Sequence, residues 1–140
     1  MSDKFIKRVM LDTNVIFSAM YKTDGTPFEA FVKASKVPYH LVLCDQIIDE
    51  LRRNFNRKLS AKIPALERFL SIARYDLITL TSEDEIMSDE DKVADVSDRP
   101  ILRAAKKAKV DILVTGDNDF LQSTITDPKI MTAAEFIKFD

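Results

Sequence analysis

Carboxylates occupy the positions in this chain where chemistry could be done. Asp12 stands directly after the apolar run Val9-Met10-Leu11, and Asp117 and Asp119 follow a second such run, Asp111 to Thr115. Glu50 lies at the margin of an apolar stripe made by Ile47, Ile48 and Leu51, whereas Asp49 points the other way. Asp98 precedes Ile101 by three positions and Leu102 by four, so on a helix it projects along the buried face. A buried carboxylate without a partner is costly, and such groups are paired or bound to metal. Four carboxylates gathered at one place would repel and could not all stay ionised without cations. Hard divalent ions with oxygen ligands, Mg²⁺ or Mn²⁺, are the natural partners of Asp12, Glu50, Asp98 and Asp117. Such a site performs phosphoryl transfer: the ions activate a water, orient the phosphate and neutralise charge on the attacking and leaving oxygens. No histidine is needed as base. The single histidine, His40, falls inside an apolar run and reads as structural, as does the single cysteine, Cys44.

Each acid also has a plainer reading. Asp12 would serve as a helix cap, and Glu50 as an exposed charge paired with Arg53 or Asn54. Asp98 would cap the helix begun at Pro100, a role Ser97 could fill instead. Asp117 and Asp119 would belong to a turn, with Gly116 permitting a tight bend. Asp95 is a weaker candidate than Asp98, and the acids between Glu83 and Asp91 read as a solvated loop. Against the plain readings stand two strand ends that both finish in carboxylates, and a Glu50 helix that starts directly after a strand.

The elements that must position these groups alternate. A strand over Val9 to Leu11 runs into a helix from Val15, and Thr23 to Pro27 is a turn. A short helix follows from Phe28, then a strand over Tyr39 to Cys44 with Asp45 placed to cap the next helix. Beyond it lies a helix after Pro64 whose stripe is Leu66, Phe69, Leu70, Ile72 and Ala73. Leu77 to Leu80 reads as a third strand, Glu83 to Asp98 as irregular, and Pro100 to Ala108 as a helix. A fourth strand covers Asp111 to Thr115, a fifth Lys129 to Thr132, and a last helix Ala133 to Phe139. Strands alternating with helices predict a three-layer α/β/α fold around a central, mainly parallel sheet of four to five strands.

Composition narrows the field. The 140 residues are expected to form a single domain with a proper core, 46% hydrophobic and 31% charged. A net charge of −2 argues against coating nucleic acid by charge alone, but not against a local basic face. Two glycines leave no Gly-rich loop for ATP, GTP or NAD. No apolar run approaches the ~20 residues that span a bilayer, and MSDKFIK shows no signal-peptide pattern. A cytoplasmic location is expected, with no membrane contact.

In order and spacing, LDTNV, the acid in IIDELRRNF, then VSDRPILRAA and LVTGDNDF resemble the PIN domain over nearly the whole chain. The first and last motifs are specific and the middle two degenerate. Within that family the similarity is greatest to the toxin components of toxin–antitoxin pairs, of which VapC is the familiar type. The resemblance implies a metal-dependent ribonuclease with Asp12, Glu50, Asp98 and Asp117 as its acidic quartet. It implies Asp119 as an accessory acid and metal ligand, and Asn14 and Thr115 as polar helpers. It further implies a Rossmann-like sheet with the first strand central, a homodimer, and a cognate antitoxin that blocks the site. Many relatives carry a denser acidic run where this chain has DVSD, and there the helical-face argument favours Asp98 over Asp95. Cys44-Asp45 stands where relatives often have a small hydroxyl residue.

Arg52, Arg53 and Arg57 form either a solvated face paired with acids or a rim that contacts RNA phosphates beside Glu50. Two rival readings fit less well. A haloacid-dehalogenase-type phosphatase would want an acid where Asn14 stands. A receiver domain needs paired acids at the first strand, and Asp3 lies too far from Asp12. The remaining alternative is a PIN-like module that binds RNA or assembles without cutting, against which the intact acidic set argues.

Overall fold

The computed structural model describes residues 7–139. In chain order its elements are β1 (Lys7–Leu11), α1 (Thr13–Tyr21), α2 (Thr26–Ala34), β2 (Tyr39–Cys44), α3 (Asp45–Lys58) and α4 (Ile63–Ile72). There follow β3 (Asp76–Ile78), α5 (Arg99–Lys107), β4 (Ile112–Val114), α6 (Asn118–Leu121), β5 (Lys129–Met131) and α7 (Ala133–Lys138). Single 3₁₀ turns cover Ser60–Lys62, Glu90–Lys92 and Val96–Asp98. All five strands are parallel and lie in the order β3-β2-β1-β4-β5, with β1 central. The architecture is the three-layer α/β/α sandwich that the alternation predicts.

The inner strands are unbroken apolar runs because helices cover both faces of the sheet. Val9 to Leu11, Leu41 to Cys44 and Ile112 to Val114 are all at most 2% exposed. α3 buries Ile47, Ile48, Leu51 and Phe55, and α5 buries Ile101, Leu102, Ala104 and Ala105. Truncating a core aromatic such as Phe55, which is wholly buried, costs roughly 3–5 kcal/mol.

The order of the strands decides where a site forms. From β1 the chain moves to β2 and β3 on one side, then crosses to β4 and β5 on the other. The crevice beyond the carboxyl ends of strands at such a reversal is the usual ligand position. Asp12 follows β1 there, Asp117 follows β4, and α3 starts there directly after β2. α5 leads into the parallel strand β4, so its N-terminus, with Asp98, returns to the same edge.

Several expectations need correction. The third strand is Asp76–Ile78, not Leu77 to Leu80, and Leu77 is half exposed because β3 is an edge strand. Ile72, expected in the buried stripe of α4, is 70% exposed at the last position of that helix. Asp45 is the first residue of α3, and Cys44 takes the cap position. Gly116 does not use the left-handed freedom of glycine, and a side chain there would meet open space. The acids of 83–91 are not simply solvated: Glu90 is buried against Arg103, while Asp84 pairs with Lys107 and Asp89 with Lys92 and Lys106. His40 lies at the opposite end of the sheet from the crevice, with Nε2 3.2 Å from Asp76 Oδ1. Asp3 and the N-terminal segment through Ile6 lie outside the described residues. Among the described residues no helix is long and apolar enough to cross a membrane.

Candidate active site

β1 ends because the Asp12 backbone, still bonded to the sheet through its N–H to Val114 O at 2.9 Å, turns directly into α1. The Asp12 side chain is 7% exposed and doubly held. Its Oδ1 accepts from the Thr13 N–H at 2.8 Å and its Oδ2 from the Thr115 hydroxyl at 2.8 Å. Thr115, fully buried, also accepts from the Asp117 N–H at 3.0 Å, so one hydroxyl ties the ends of β1 and β4 together. Asp117 caps α6 by accepting from the Asp119 N–H at 2.9 Å.

Glu50 is fixed from two sides. The Thr13 hydroxyl donates to its Oε1 at 2.5 Å and the Gln46 amide to its Oε2 at 3.3 Å. The same Gln46 nitrogen donates to Ser97 O at 3.0 Å, tying α3 to the turn that carries Asp98. Asp12, Glu50, Asp98 and Asp117 thus line one cleft of about 280 Å³, joined by Thr13, Asn14, Arg53 and Asn54. A larger hollow of about 630 Å³ beside Phe28, Val32 and Pro38 carries no such cluster of acids. The chemistry identifies the site, not the volume.

Crowding shows in the proton affinities. The Asp12 carboxyl is raised above its ordinary range, chiefly by burial, against the lowering bonds from Thr115 and Thr13. Nearby Glu50 and Asp117 raise it further. Asp98 is pushed up to about 7, first by burial and then by its hydrogen bond to the Asp117 carboxyl and the charge there. Among the described residues, no lysine or arginine forms an ion pair with any of the four.

This donor set suits a hard divalent cation. All four groups offer oxygen, and each Asp12 oxygen still has a lone pair beyond its hydrogen bond. Among the described residues, the group of acids whose oxygens all lie within 4.8 Å of one another is Asp95, Asp98 and Asp119. Asp98 alone of the quartet belongs to that tighter group, while Asp12, Glu50 and Asp117 share the cleft with it.

The other candidates take distinct places. Asn14 is exposed at the cleft. Asp119 faces Asp95 and Asp98 and does not line the cleft. Asp95 is exposed and accepts from both the N–H and the hydroxyl of Ser97. Asp98 sits at the cap position of α5 without a side-chain capping bond, leaving its oxygens for the cleft. Arg53 lines the cleft, and Arg57 donates to Asn54 Oδ1 at 3.1 Å. Arg52 points elsewhere, in a two-pronged bond to Glu67 of α4 at 3.0 Å each. Thr13 and Gln46 were missed by reading the sequence. Gln46 sits one helical turn before Glu50, a spacing that places it on the same face.

Residues 8–119 match the family model described as the PIN domain. No curated protein matches the chain. Among solved structures, the chain is similar to VapBC2 from Rickettsia felis bound to a DNA fragment from its promoter. The TM-score is 0.64 at 18% identity, over 89% of this chain and 96% of that one. PAE2754 from Pyrobaculum aerophilum is similar at TM-score 0.64 and 15% identity, over 94% of this chain and 88% of that one. At such identities the structures speak for the fold, while the sequence match extends across every acid of the cleft. The chain belongs to the PIN domain family.

Proposed function

We propose that this protein is a metal-dependent endoribonuclease, hydrolysing RNA phosphodiester bonds as the toxin of a toxin–antitoxin pair. The observation that carries the reading is the convergence of Asp12, Glu50, Asp98 and Asp117 on one cleft where, among the described residues, no lysine or arginine pairs with them. Mg²⁺ or Mn²⁺ bound to such a set supplies Lewis-acid stabilisation of phosphate charge and a water activated at neutral pH. The protein's part is to hold the acids in place beforehand. Thr13 and Thr115 orient Asp12, Thr13 and Gln46 orient Glu50, and Asp98 and Asp117 would complete the set of oxygen ligands that holds the cation. On this reading Asn14 and Arg53, which line the cleft, meet the scissile phosphate, and Arg57, bonded to Asn54, meets one beyond it. Arg52 would reach a phosphate only by releasing Glu67.

The toxin role and a cognate antitoxin are supported by the VapC-like motifs and by likeness of fold to VapBC2, and a homodimer is the expectation of the motifs alone. The deciding experiment is cleavage of structured and single-stranded RNA with Mn²⁺, Mg²⁺ or EDTA, beside Asp12→Asn. Cleavage that needs metal and is lost in the variant is expected. A folded wild type that cuts nothing with either metal would replace catalysis with a binding or assembly module. Growth arrest on induced expression tests the toxin role.

A further inference from the structure

We propose that single-stranded RNA leaves the acidic cleft along the ridge between α1 and α3, with one base stacked on Tyr21 and its phosphates on Arg57, Lys58 and Lys62. The inference rests on the ribonuclease reading and adds the path the strand takes and the aromatic residue on which a base stacks.

The track is continuous in named contacts. Asn14 at the cleft, Phe17 and Tyr21 fall on one face of α1, three and then four residues apart, and the two ends lie about 10 Å apart along the axis. Tyr21 is 60% exposed, and among the described residues its hydroxyl has no protein partner. Its ring lies parallel to that of Phe17, 6° between planes and 6.4 Å between centroids. Phe17 is in turn pinned edge-on to the fully buried Phe55 of α3, 5.3 Å away, so the platform is anchored to the core. An exposed aromatic on a rigid base is what sequence-tolerant recognition of an unpaired nucleobase requires.

Cations border the platform throughout. Arg57 bonds Asn54, a residue of the cleft wall, and Lys58 Nζ stands 5.8 Å from the Phe17 ring centroid. Lys62 reaches the Met20 and Tyr21 carbonyls at 3.5 Å each. None of the three pairs with a described carboxylate, although neighbouring Arg52 does, as do Arg103, Lys106 and Lys107 of α5. A protein of net charge −2 thus leaves positive charge uncompensated on a path that starts at its acidic cleft. A polyanion with accessible bases fits that surface. Duplex RNA would present phosphates but no free base face.

The test is binding of fluorescent single-stranded RNA in EDTA, where nothing is cut, beside a duplex of the same sequence. Tyr21→Ala is expected to weaken single-strand binding about five- to a hundredfold, the effect of losing one base–aromatic stack. Tyr21→Phe should keep it, and duplex binding should change little in either. Lys58→Ala or Arg57→Ala should each lower the slope of log affinity against log salt by about 0.7. Thermal melts verify folding. Equal affinity of wild type and Tyr21→Ala for the single strand overturns the proposal, as does an equal loss on the duplex. A wild type that binds no RNA but forms a dimer split by Tyr21→Ala overturns it in favour of a protein partner. RNA bound through Tyr21 but never cut with metal would keep the track and sink the nuclease. Cleavage at limiting RNA that proceeds as fast in Tyr21→Ala would keep the nuclease and sink the track.

Discussion

Two acidic regions lie in this molecule, and they are built on opposite terms. In the segment 83–91, three acids each have a cation against them: Asp84 has Lys107, Asp89 has Lys92 and Lys106, and Glu90 has Arg103. These partners hold all three carboxyls below their ordinary range. In the cleft, among the described residues, no lysine or arginine pairs with the four acids although Arg53 lines it, and Asp12 and Asp98 are instead raised by burial and by neighbouring carboxylates. The first region is neutralised from within and serves to tie an irregular segment to α5. The second stores repulsion that a bound cation would relieve. Residue type does not distinguish the two; the partner does.

The sharpest way to break the comparison is to exchange the regions' roles by mutation. Asp12→Asn is expected to lower metal-dependent RNA cleavage by at least about 10²–10³-fold, the scale for losing a group that stabilises developing charge. Asp84→Asn should leave cleavage rates at wild-type level, and a comparable loss there would end the distinction. Urea denaturation should invert the ranking. Glu90→Ala leaves Arg103 without its partner and is expected to cost about 2–3 kcal/mol, less than a fully buried pair because Arg103 is 22% exposed.

The two regions should also answer pH with opposite sign. The folded protein keeps a proton at Asp98 up to about 7, whereas an ordinary aspartate loses it near 3.8. The stability from that proton is complete below about 4 and is lost as pH rises through about 7. For Glu90, held low by Arg103, the contribution is present above the ordinary range and is lost as pH falls. Melts in EDTA should therefore show stability falling between pH 4 and 7 on the order of 1 kcal/mol, a modest figure because the cleft is open to screening solvent. Asp98→Asn should flatten that fall, and Mn²⁺ should restore stability more at pH 7.5 than at pH 5. A smaller effect belongs to Arg52 and Glu67, both about half exposed. Glu67→Gln is expected to change stability by no more than about 0.5 kcal/mol in the same denaturation assay.

How far the sequence could be read differs between fold and site. Inner strands were legible because burial on both faces demands unbroken apolar runs, as at Val9 to Leu11 and Tyr39 to Cys44. The edge strand was misplaced because Leu77 is apolar yet half exposed and Leu80 packs against the core from beyond the strand, and only pairing with Val42 to Cys44 sets its limits. Ile72 failed similarly: helical spacing assigns a face, but the stripe ends where the neighbouring element stops covering it.

For the site, local spacing carried Asp12 and Asp117 to strand ends and Asp98 to a helix start. The order of residues determined by itself that three acids occur at the ends and starts of alternating elements, with Glu50 on the margin of a helix's apolar stripe, and that the chain lacks the glycines of a nucleotide loop. Only the tertiary structure decided which acids were left without cations. Arg103 reaches Glu90 thirteen residues away, and Thr115 reaches Asp12 across 103. Hydrogen bonds and ion pairs act over a few ångströms of space, and the chain brings such partners together only when the parallel sheet sets β1 beside β4.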